Sequence, residues 1–232
     1  MRPKVSIFVL CSLERTGWVN PALCHALLYL GHDPRLDVSV EMIVDRRPVE
    51  HARNVCVCNA RERGADLCIQ IDNDMTLPAN FADIVLEANR TRKAVVSLPA
   101  GIMPSGVPQI VPGDNGPKDG QFRETRYAGG GVLIISSEVW RVIPRGPWFR
   151  WVANDDEALS GKLGEDCYFC ELVQKHGLTV WTHQSVAGHL KSADATHWIL
   201  HLKRMERQLR DIQYKPGDMR PLEDLDPPIF VY

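Results

Sequence analysis

Strand-like apolar runs and helix-like segments take turns along this chain, and that rhythm leaves few architectures open. Residues 5–10, 38–44, 67–71, 94–98 and 132–135 are short apolar runs of the kind that form buried strands. Between them, residues 21–30 follow the capping residue Asn20, open on Pro21 and stop at Gly31. Residues 48–63 open on Pro48 and end at Gly64, and residues 78–89 open on Pro78 in the same way. Alternation at these lengths predicts parallel β-α-β units and an α/β sandwich with a mostly parallel sheet. In such sheets ligands sit outside the carboxyl ends of the strands.

Composition narrows the class. The chain has 232 residues, 44% hydrophobic and 24% charged, with a formal net charge of −2, which suits one large core in a single domain spanning 1–232. A duplex binder would carry a clear basic excess, and this balance gives none. Seven cysteines are an odd number, and Cys56, Cys58, Cys68 and Cys170 lie among apolar neighbours where a small hydrophobe fits, so a reducing, cytoplasmic setting is expected. The N-terminal apolar run is too short for a secretory signal and reads as the first strand. No stretch approaches the roughly 20 apolar residues that span a bilayer.

Residues 101–127 are rich in Pro and Gly without a sustained period and read as a long loop of the lid or binding type. AGGGVLIISSEVW follows as a glycine turn, a strand and a helix. Gly164-Glu165-Asp166 opens a helix that runs through His176 and stops at Gly177. A further helix is expected over about 193–210, with Lys203, Arg204, Arg207 and Arg210 on its outer side, before an acidic, Pro-rich tail.

The chemistry begins at LCIQIDNDMTLP, where a buried strand runs into Asp72-Asn73-Asp74. Two partly buried carboxylates repel unless a cation or a set of donors compensates them. A hard divalent ion such as Mg²⁺ or Mn²⁺ would do so, and a turn rich in Asp and Asn is the other reading. Glu165 and Asp166 stand at a helix N-terminus, where the dipole favours ionised acids; they act there as caps or, near a metal site, as a general base. His189, after a small-residue turn, is either structural or a further ligand, since Mn²⁺ accepts imidazole.

In this order the parts resemble the GT-A glycosyltransferases, particularly the large inverting family 2 group. The resemblance runs from about residue 5 to 190 and rests on HARNVCVCNARERGADLCIQIDNDM, AGGGVLIIS and GEDCYFCELVQKHGL followed by AGH. It implies a GT-A fold with a Rossmann-like nucleotide-sugar-binding half over 1–100, an acceptor and catalytic half over 101–190, and a C-terminal helix and tail over 191–232. It further implies that Asp74 binds a Mn²⁺ or Mg²⁺ ion bridging the diphosphate of a UDP- or GDP-sugar, with Asp72 facing the ribose or the ion and His189 completing the site. Asp166 is then the first choice of base, with Glu165 beside it. Ser12, Glu14, Asp45, Arg53, Asn73 and Gly130 would line the nucleotide sugar, Arg53 as the cation that stabilises the leaving group, and Gly129, Gly130 and Gly131 by allowing close backbone approach. The implied reaction moves a sugar to an acceptor hydroxyl on a glycan, protein, small molecule or modified DNA base.

The first strand ends in CSLERTGW, unlike the commoner Pro-x-Tyr-Asn type, and no Gln-x-x-Arg-Trp motif occurs. A sugar nucleotidyltransferase is the alternative, although such enzymes carry a Gly-rich loop where this chain has CSLERTGWVNP. A non-catalytic nucleotide-sugar-binding module is a third reading. Cys167 and Cys170 have C-x-x-C spacing, but with Cys56 and Cys58 they make a poor zinc site. Trp148, Phe149 and Trp151 in RGPWFRW read as a stacking platform or as core.

Overall fold

The computed structural model describes residues 2–11, 19–102, 107–108, 116–152 and 164–189. Ser12, Glu14, the expected helix over 193–210 and the tail lie outside the described residues. In chain order the elements are β1 (Lys4–Cys11), α1 (Pro21–His32), β2 (Asp37–Val44), α2 (Val49–Glu62), β3 (Leu67–Asp72), β4 (Met75–Thr76) and α3 (Phe81–Arg90). There follow β5 (Val95–Ser97), β6 (Ala100–Ile102), β7 (Val107–Pro108), β8 (Lys118–Asp119), β9 (Phe122–Glu124), β10 (Val132–Ser136), α4 (Ser137–Val142), α5 (Glu165–Lys175), β11 (Val180–His183) and β12 (Ala187–His189).

The main sheet has eight strands in the order β2-β1-β3-β10-β5-β11-β9-β8. Strands β10 and β9 run against the other six, so the sheet is mostly parallel. Alternation along each strand sends side chains to opposite faces. Val5, Ile7 and Val9 of β1 join one apolar cluster with Leu23 and Leu27 of α1 and Ile84 and Val85 of α3. Phe8 and Leu10 join the other, with Cys56 and Val57 of α2, Val139 and Trp140 of α4, and Phe169 and Val173 of α5. The result is a sheet between two helical layers. Each fully buried Leu, Ile, Val or Phe contributes about 1.5–3 kcal/mol.

Local chemistry accounts for the helix starts. The Asn20 side chain accepts from the Ala22 amide at 2.9 Å, and Pro21 occupies the first turn, where its missing N–H costs nothing. Helix α3 starts at Phe81, three residues later than Pro78 suggests, because Pro78 closes a turn by accepting from the Phe81 amide at 3.0 Å.

The long-loop reading of 101–127 needs correction, because paired strands occur in it. Strands β8 and β9 form a hairpin on the main sheet, and β6 and β7 belong to a second sheet of order β4-β12-β6-β7. Lys93 anchors the hairpin: its buried Nζ lies 3.6 Å from the Trp181 ring centroid and ion-pairs with Asp119. Cys58 is exposed, which corrects its place among the buried thiols; Cys56, Cys68 and Cys170 are buried as expected. Among the described residues no helix is long and apolar enough to cross a membrane.

Candidate functional site

Strand β3 decides which acids meet. Leu67, Ile69 and Ile71 pack in the α1–α3 cluster, whereas Cys68 packs in the α2 cluster, so by period-two alternation Gln70 and Asp72 also face α2. Arg53, one turn into α2, is 2% exposed and reaches them. Its Nη1 donates to Gln70 Oε1 at 3.4 Å and its Nη2 to Asp72 Oδ1 at 3.1 Å. Gln70 Nε2 returns a bond to the Arg53 carbonyl at 3.0 Å. The third partner comes from α5, where Glu165 Oε1 accepts from Arg53 Nε at 3.2 Å. Gln70 escaped the sequence reading; its signal was a lone amide inside an apolar strand.

Beyond β3 the chain turns back. The Asp72 amide donates to the Gly131 carbonyl at 3.0 Å, and buried Asn73 donates its amide to the Leu10 carbonyl at 3.1 Å. The second sheet then does what no local motif could. Pairing of β4 with β12 in the register Gly188↔Thr76 and His189↔Met75 brings the end of the described chain to the end of β3. His189 Nε2 lies 3.1 Å from Asp74 Oδ2, and the two side chains are 20% and 24% exposed. Ala187 and Gly188, read from the sequence as a turn before His189, lie with it on β12.

Asp166 completes the arrangement. Its Oδ2 accepts from the Gly130 amide at 3.2 Å and its Oδ1 from the Cys167 amide at 2.8 Å, which hold the carboxylate at the N-terminus of α5. Three carboxylates, Asp72, Glu165 and Asp166, thus gather around one buried guanidinium, with Asp74 close to Asp72. Asp72 shows the tension. Although 32% of its side-chain surface is open, the protein atoms around it push its pKa up to about 6; Arg53 opposes that rise, and the charges of Asp74 and Glu165 add to it.

The structure therefore brings Asp72, Asp74, His189, Arg53, Gly130, Glu165 and Asp166 together. Asp45 is exposed at the end of β2, its amide bonded to the Cys11 carbonyl at 2.9 Å. Arg53 is buried among acids, not open toward a leaving group as the sequence suggested. The three glycines part company: a Cβ on Gly130 would lie 2.5 Å from Arg53 Nη2 and one on Gly131 3.0 Å from the Met75 sulfur, while Gly129 has open space. Trp148 and Phe149 are core residues, with Phe149 stacked on Phe169 at 4.3 Å, and Trp151 is exposed. Among the described residues no three His, Cys, Asp or Glu side chains converge as a metal cage, so the four-thiolate idea finds no support.

No family model and no curated protein matches the chain. Solved structures do. A197 from STIV aligns with a TM-score of 0.54 and 19% identity over 80% of this chain and 83% of its own. The UTP-bound UGPase from Acinetobacter baumannii gives 0.54 and 10% identity over 93% and 100%. The CMP:2-keto-3-deoxy-manno-octonic acid synthetase complexed with CTP gives 0.54 and 11% over 88% and 99%. What the chain shares with these proteins is a fold, a GT-A-like α/β sandwich with a large, mostly parallel sheet.

Proposed function

We propose that the protein is a metal-dependent glycosyltransferase that moves a sugar from a nucleoside-diphosphate sugar, UDP favoured, to an acceptor hydroxyl. The observation that carries this reading is the Asp74–His189 pair at 3.1 Å, set just beyond the carboxyl end of β3, which Asp72 closes. A carboxylate and an imidazole make a donor set that fits Mn²⁺, and Mg²⁺ less closely. Asp74 and His189 would hold such an ion from the protein side. A bound ion would supply positive charge against the departing diphosphate. In this reading Asp74 and His189 hold the ion, and Asp72, at the strand end, faces the ribose. Asp166, fixed by two backbone amides, takes the proton of the acceptor hydroxyl as the new glycosidic bond forms. Residues 1–100 then serve the donor and 101–190 the acceptor.

Thermal unfolding with UDP, GDP, CDP or dTDP, each with Mn²⁺ or EDTA, tests this. A nucleotide at about 100 times its dissociation constant adds roughly 2.7 kcal/mol, a rise of about 5–10 °C for a chain of this length. One diphosphate should give that rise with Mn²⁺ alone, and Asp74→Ala should abolish it. Metal-independent binding, or none, would remove the reading.

The fold neighbours bound to UTP and complexed with CTP suggest a second reading, transfer of a nucleotidyl group to a sugar phosphate. Pyrophosphate release from UTP or CTP, dependent on an added sugar phosphate, would replace the first reading with this one.

A further inference from the structure

Arg53 does not face solvent: acids from two segments distant in sequence answer its charge, and the backbone of a third lies against it. Asp72 comes from the end of β3, Glu165 from the first turn of α5, and Gly130 from the turn before β10. An unpaired buried guanidinium would be strongly destabilising, so this cation needs acids of opposite charge on each side. Burial alone would make its proton easier to lose; Asp72, Glu165 and Asp166 reverse that and hold it cationic. The planar fork suits the task, because separate N–H groups address separate carboxylates at fixed angles.

We infer that Arg53 is a positioning residue that sets the donor-side acid Asp72 and the acceptor-side pair Glu165 and Asp166 at a fixed spacing, and that position 130 is glycine because the guanidinium fills the room a side chain would need. Its functional consequence rests on the transferase reading above; its geometric content does not. Through Asp72, Arg53 fixes the end of β3. Through Glu165 it fixes the first turn of α5, and with it the adjacent Asp166, whose Oδ2 accepts from the Gly130 amide at 3.2 Å. Two ion pairs of one side chain, to Asp72 and to Glu165, thus join the two sides of the cleft, and the bond between the Gly130 amide and Asp166 adds a third link beside them. Lysine keeps the charge but has a single point donor, so it can serve Asp72 or Glu165 and cannot hold both in a planar fork.

Two measurements test this. In a double-mutant cycle of Gly130→Ala and Arg53→Met, followed by thermal unfolding, Gly130→Ala should lower Tm by several degrees in the parent and by less than about half as much in the Arg53→Met background. Additive losses would overturn the claim that the two positions share space. Calorimetric titration with UDP and with GDP, each with Mn²⁺, is then set beside nucleotide release from a panel of the matching sugar donors. Arg53→Lys should bind within about threefold of the parent while turnover falls at least about tenfold, since small misplacements of reacting groups cost that much or more. Binding and turnover falling together, or neither falling, would overturn the positioning role. If the parent binds neither nucleotide, the transferase reading fails, and the cycle still decides whether Arg53 is the brace.

Discussion

Glu165 and Asp166 stand next to each other at the start of α5, yet Glu165 is buried against Arg53 while Asp166 takes the Gly130 and Cys167 amides on a partly exposed side chain. The two acids therefore have separable roles. Asp166→Asn keeps the shape and removes the basic oxygen, so donor turnover should fall by about 10²–10⁴ while nucleotide affinity stays within a few-fold. Glu165→Gln leaves Arg53 with less countercharge, and its loss should register first as a lower Tm. Equal kinetic effects of the two would contradict this division. At this scale the order and spacing of the motifs singled out Asp72, Asp74, Asp166 and His189 as candidates although a turn or a helix cap would use the same acids, and the fold brings the four together. Gln70 and the reason for Gly130 were not, since a one-dimensional pattern does not say which helix lies over which face of a strand.

Elements with a full period of their own were read well. Strands β1, β2, β3 and β10 and helices α1, α2 and α5 lie where apolar spacing put them, because four to eight strand residues or ten helical ones suffice to display a repeat. Of the strands of two or three residues only β5, inside the apolar run 94–98, was read; β4, β6, β7, β8, β9 and β12 were invisible for the converse reason, since only their partners make them strands. The site depends on one of these, since β12 carries His189. The edge hairpin carries a further consequence. His183, at the end of β11 beside Phe122, is 1% exposed, its Nδ1 accepts from the Ser185 amide at 3.0 Å, and its buried Nε2 has no hydrogen-bond partner among the described residues. Burial lowers its pKa, opposed by the Glu87 carboxylate. A histidine whose folded pKa lies below its unfolded value of about 6.5 costs nothing above that pH, and stability is lost as pH falls through it. His183→Gln should flatten the fall in Tm between about pH 7 and 5; an unchanged slope would assign that fall to other groups.

The described residues form a sheet with helices on both faces and a small second sheet whose strands β4, β6 and β12 continue from the ends of main-sheet strands. Arg53 ion-pairs with Asp72 at 3.1 Å, so the end of β3 has a cation within the protein itself. EDTA without nucleotide should therefore move Tm by less than about 1 °C, whereas a structural metal would be worth many kcal/mol and its removal would unfold the chain. The Arg53–Glu165 bond spans 112 residues of sequence and the Asp74–His189 contact 115. Such closures bear on kinetics, since long-range contacts are made only after most of the loop entropy has been given up, and a chain leaving the ribosome exposes its early segments first. The end of β3 thus emerges with Asp72 within reach of Arg53 from α2 but without Glu165 and Asp166 of α5 or His189 of β12, so under the proposed reading a nucleotide would meet a complete cleft only after α5 and β12 have docked. Ligand capture would then report completed folding and would not assist its early steps.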